Sequence, residues 1–130
     1  MKRLALLVVL LMTTGCASAL DNAIHAANGA GQVTDHAHVT LSADTKRGYD
    51  LCLIMSTKTL ALECVEQNRA QFAPAWSAYR ALRHTWLSLA AMIQAAQAAD
   101  GALPGGATVL LGKLAQAVSE LQFALVEVQR

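Results

Sequence analysis

Several things that mark chemistry are scarce in this 130-residue chain: aromatic residues make up 5% of it, charged residues 15%, with two prolines and three cysteines. Few aromatics mean little buried area per core residue, so the 55% apolar content, much of it alanine, predicts a thin core of closely spaced helices. No Gly-rich phosphate loop, G-x-S-x-G elbow or H-E-x-x-H pair occurs. Nor is an acid, base or nucleophile placed at a recognisable catalytic spacing, so the reading is of a protein that is not an enzyme and carries no cofactor. The formal charge is +1, which gives no global electrostatic reason to bind nucleic acid. Internal repeats and low-complexity blocks are missing too. What survives these exclusions is a small helical domain that acts by binding.

What is present starts at the N-terminus. Lys2 and Arg3 precede Leu4 to Met12, nine consecutive apolar residues. That run suits the apolar centre of a secretory signal and falls well short of the roughly 20 residues a spanning helix needs. Thr13-Thr14-Gly15-Cys16 follows. This segment resembles the lipobox of bacterial lipoproteins, departing from it where Thr13 stands in place of the commonest residue, Leu. The resemblance implies cleavage after Gly15, lipidation of Cys16 and tethering to a membrane by acyl chains. Alanine at position 17 implies outer-membrane sorting in a double-membrane bacterium. Ala17-Ser18-Ala19 is also an A-x-A pattern, so cleavage after Ala19 and release of a soluble protein stays open, as does an uncleaved anchor over Leu4–Leu20.

Removing residues 1–15 from 130 leaves 115, an ordinary single domain, with eight basic residues against nine acidic once Lys2 and Arg3 are gone. With Cys16 spoken for, Cys52 and Cys64 remain, and an even pair outside the cytoplasm reads as a disulfide. Residues 16–42 read as a lipidated N-terminus and flexible tether, because Asn28-Gly29-Ala30-Gly31 breaks the helical spacing of Leu20, Ile24 and Ala27. Residues 43–130 read as the helical domain. Ser42 or Asp44 caps a helix to about Met55, and Ser56 to Thr59 form a turn with a fresh cap. A long helix then runs to Ala99, with a kink or break expected at Pro74.

If that helix continues through Pro74, then Ala61, Cys64, Ala75, Tyr79, Leu82, Trp86, Leu89 and Ile93 share one stripe, and Cys64 can meet Cys52 across the hairpin. After the breakers of Gly101 to Gly106, Leu111, Leu114, Val118, Leu121, Leu125 and Val128 recur at alternating three- and four-residue steps, an a/d seam. The fold class expected is all-α: a small antiparallel bundle, or long hairpin, of about three helices.

Two groups of residues carry candidate chemistry. His36 and His38, beside Asp35, share a face only if that segment is a strand, and two ligands with one acid make a weak metal site. Arg69, Phe72, Trp76, Arg80, Arg83 and His84 gather on one side of the long helix, a cationic face with an embedded tryptophan suited to anionic headgroups, a glycan or a partner protein. The seam from Leu111 to Val128 offers a homo-oligomer contact or packs on the chain's own helices. Together these features predict a membrane-tethered, non-enzymatic envelope lipoprotein on the periplasmic side of the outer membrane. Its alternatives are a phage-encoded lysis or envelope lipoprotein and a soluble exported binding module.

Overall fold

The computed structural model describes residues 18–99 and 102–129, and all of its elements are helices: α1 (Ala19–Leu53), α2 (Lys58–Ala98) and α3 (Gly106–Val128). They pack as an antiparallel three-helix bundle, with α2 in the middle role, touching α1 along one side and α3 along another. The core comprises Ala23, Ala27, Ala30, Ala37 and Leu41 from α1, Phe72, Ala75, Leu82, Leu89 and Ile93 from α2, and Ala107, Leu114, Ala117, Val118 and Leu121 from α3. Alanine supplies much of it, as the composition implied.

The tether expected over residues 16–42 is corrected: from Ala19 onward that segment is helix and part of the core. Ser18, rather than Ser42 or Asp44, caps α1. Its hydroxyl accepts from the Asp21 N–H at 3.1 Å and its own backbone N–H donates to the Asp21 carboxylate at 3.3 Å, a reciprocal capping box, to which the hydroxyl adds a 2.8 Å bond to the same carboxylate. The buried face, Ala23, Ala27, Ala30, Thr34, Ala37 and Leu41, repeats at steps of four and three. Small side chains gave that stripe almost no hydrophobic contrast in the sequence. The glycines within it do not break the helix. Gly31 lies under the Trp86 indole, whose ring atoms are 3.2–3.4 Å from where a Cβ would stand, and Trp86 Nε1 donates to the Ala27 carbonyl at 2.8 Å. Tertiary packing outweighs the low helix propensity of glycine here.

Pro74 does not break α2, which runs without interruption from Lys58 to Ala98. Pro74 and Ala70 are both exposed, so the Ala70 carbonyl that loses its helical donor can take water instead. The predicted α2 stripe is accordingly continuous, and every one of its eight members is buried or half-buried. In α3, Leu114, Val118 and Leu121 are buried and Leu111, Leu125 and Val128 half-buried, so the seam is used within the chain. By length and composition α3 would also pass for a membrane-crossing helix, with a mean hydropathy of 1.3.

At the other end of the α1–α2 interface, Asn68 is buried and its Nδ2 donates to the Thr45 carbonyl at 3.1 Å. Gly48 is what makes room for it, since a Cβ there would fall 2.1 Å from Asn68 Oδ1. Gly48→Ala is expected to push Asn68 off this bond and to cost about 1–3 kcal/mol, from overpacking plus a buried amide left short of a partner. Urea denaturation monitored by circular dichroism checks it. An unchanged midpoint would show that Asn68 repositions freely.

Candidate interaction surface

The three helices have unequal lengths, and this decides what is exposed. At 1.5 Å per residue, α1 with 35 residues spans roughly 52 Å, α2 with 41 roughly 60 Å and α3 with 23 roughly 35 Å. Gln71 Nε2 donates to the Val128 carbonyl at 3.3 Å, which fixes where the third helix ends along α2. Beyond that level, Lys58 to Ala70 of α2 and the last turns of α1 continue as a two-helix arm. Cys52 and Cys64 are joined there, with Cα atoms 5.5 Å apart. The predicted pairing is the one observed.

The arm ends in a turn over residues 54–57, and its tip is apolar. Tyr49, Leu51, Leu53, Ile54, Met55, Leu60 and Leu62 are all exposed, Ile54 most of all at 79%. Elsewhere large exposed apolar residues are scattered: Val39, Leu87, Val109 and Phe123. Scattered ones need no explanation, whereas a contiguous group does. The sequence carried the signal in Leu51-Cys52-Leu53-Ile54-Met55, which reads as helix interior until it is known that no third helix covers it.

The predicted cationic face is only partly assembled. Arg69, Arg80, Arg83 and His84 are exposed, and among the described residues none of them takes part in an ion pair. The aromatic half is corrected: Phe72 is buried in the core, and Trp76 is half-buried against α1. Trp76 Nε1 donates to Thr45 Oγ1 at 3.0 Å, and its ring meets Tyr79 edge-on at 5.5 Å and His38 at 6.0 Å. Its indole N–H is satisfied inside the bundle, so the tryptophan works as interface packing. What remains outside is a row of guanidinium groups with aliphatic stems.

The histidine pair fails as a site for a geometric reason. Residues two apart on a helix point about 200° apart, so His36 and His38 leave α1 on opposite sides. His38 instead lies against the Trp76 and Tyr79 rings, its centroid 5.5 Å from that of Tyr79. Among the described residues no group of three or more His, Cys, Asp or Glu side chains is arranged to hold a metal. A shallow depression lined by Ala43, Lys46, Arg47, Asp50 and Leu51 is open to solvent and bordered by the Lys46–Asp50 ion pair at 3.3 Å. Cys16, the predicted lipidation site, lies outside the described residues.

No protein-family model matches the chain, and no curated protein or solved structure matches it. The surfaces above therefore rest on their own chemistry: an apolar tip, a row of unpaired arginines, and an N-terminus at the far end of α1.

Proposed function

We propose that the chain is a non-enzymatic lipoprotein of the bacterial cell envelope, anchored through acyl chains on Cys16 and acting by binding through its helical bundle. The observation that carries this reading is the lipobox-like Thr13-Thr14-Gly15-Cys16 behind a short positively charged apolar signal, ending two residues before the α1 cap. The cap bears on the competing cleavage. A cut after Ala19 would remove Ser18 and with it the capping box to Asp21, at a cost of about 1 kcal/mol. A cut after Gly15 keeps it. The Cys52–Cys64 disulfide suits an oxidising compartment outside the cytoplasm. Alanine at position 17 favours the outer membrane, with the bundle on its periplasmic side.

Mass spectrometry of the mature N-terminus tests the reading. A chain beginning at Cys16 with two or three acyl groups is expected, because a single chain holds a protein on a membrane only marginally. A chain beginning at Leu20 would refute it.

A further inference from the structure

We propose that the arm's tip is a lipid-binding wedge, which seats Leu51, Leu53, Ile54, Met55, Leu60 and Leu62 in the headgroup–acyl boundary of an anionic phospholipid bilayer. The distribution of these side chains selects the occupant. Leu51 and Leu53 leave α1 about 200° apart, and Leu60 and Leu62 leave α2 in the same way. The tip is thus apolar on both of its broad sides, with the disulfide between, while Asp50 and Glu63 border it on the outer faces of the two helices. A flat protein partner or a two-fold copy covers one side of such a tip, whereas a fluid apolar phase covers all of it.

The chain's own apolar segment cannot seat there as a body: its near end, Met12, is seven residues from Ala19, a span of roughly 25 Å at most, while the tip stands at the other end of an α1 roughly 52 Å long. Charge and backbone fit the same occupant. From Leu51 to Leu62 the only charged residue is Lys58, whose stem can lie along the tip while its ammonium meets phosphate. No acid occurs in that span. The Met55, Leu60 and Ala61 N–H groups are bonded inside the hairpin, to the Cys52 carbonyl, the Thr57 hydroxyl and the Thr57 carbonyl, which lowers the cost of taking the turn out of water. The disulfide holds the two helix ends together, so the wedge is preformed. Leu51 and Met55 are four residues apart, a depth of about 6 Å, within the 5–10 Å of interfacial insertion.

The inference does not depend on lipidation at Cys16, and its test compares two positions on the same chain. Mature protein carrying Ile54→Trp, protein carrying Phe123→Trp and the parent are each combined with phosphatidylethanolamine–phosphatidylglycerol vesicles that contain lipid spin-labelled near the headgroup. Ile54 and Phe123 are both exposed, at 79% and 70%, so neither change disturbs packing. The emission that Ile54→Trp adds over the parent, whose Trp76 and Trp86 form the background, is expected to shift to shorter wavelength and fall by about twofold or more from contact quenching, while the emission that Phe123→Trp adds and that of the parent stay unchanged. Adding Leu53→Ser and Leu60→Ser to the Ile54→Trp protein is expected to abolish the quenching without altering its circular dichroism. Ile54→Trp that remains open to aqueous iodide in the presence of vesicles overturns the proposal. A concentration-dependent shift without lipid also overturns it, because a second copy would then be covering the tip. The mass of the N-terminus, read separately, keeps failure of the wedge distinct from failure of the anchor.

Discussion

Replacing Cys52 and Cys64 together by serine is expected to lower stability by about 3 kcal/mol, the loop-closure entropy associated with a cross-link of 12-residue separation. For a domain of this size that is a fall in melting temperature of roughly 10–20 °C. The loss has a structural reason to be felt. The cross-link sits in the two-helix arm, where no third helix adds apolar contacts and the pairing of α1 with α2 relies on few buried groups, chiefly Asn68 and Cys52 itself. Thermal denaturation of the parent under oxidising and reducing conditions, beside the double variant, checks the value. A shift below about 2 °C would mean that the arm opens on its own before the body melts, which is local unfolding of the low-stability end.

Leu82→Ala is expected to cost about 3–5 kcal/mol, as large as removing the cross-link but by a different route. Leu82 is fully buried within the common cluster, and the neighbours that would have to collapse into the gap include many alanines, with no length to spare. A residual cavity is therefore expected to persist, placing the cost in the upper part of the usual range for leucine truncation. Chemical denaturation with an unchanged slope and a lower midpoint is the expected signature. A cost below about 1.5 kcal/mol would show that the helices draw together to close the space.

The helical class, the α2 stripe and the α3 seam were legible because leucine and isoleucine alternate there with polar residues at helical spacing, and the turn over Ser56 to Thr59 because its hydroxyl residues suit a fresh helix cap, which is Thr57. The disulfide was legible from cysteine parity and from the face on which Cys64 falls. The first helix was not. From Ala23 to Ala37 its buried face is alanine, glycine and threonine, whose transfer energies barely differ from those of the polar residues around them. Asn28 to Gly31 then looked like a break, though the glycine serves as a seat for Trp86. The cationic face was half legible: helical projection found Arg69, Arg80 and Arg83, but it could not tell that Trp76, among them, packs against α1 or that Phe72, beside them, is buried in the core. The apolar tip was hidden in a different way. Leu51 to Met55 looks like any helix end, and only the unequal lengths of α2 and α3 leave it uncovered.

The α1 seam reverses the usual map of mutational tolerance. In most small domains the positions least free to vary are the large core side chains, and alanine marks a site where change is cheap. Here Ala23 and Ala75 are completely enclosed, and Ala27 and Gly31 carry the indole of Trp86 at contact distance. Each added methylene at such a position presses on a packed neighbour, as on the Trp86 ring beside Gly31, with little free space to take it up. A population of functional variants would therefore keep its smallest residues fixed and trade its leucines for isoleucine, methionine or valine. The sites under the tightest selection would be the ones that carry almost no side chain.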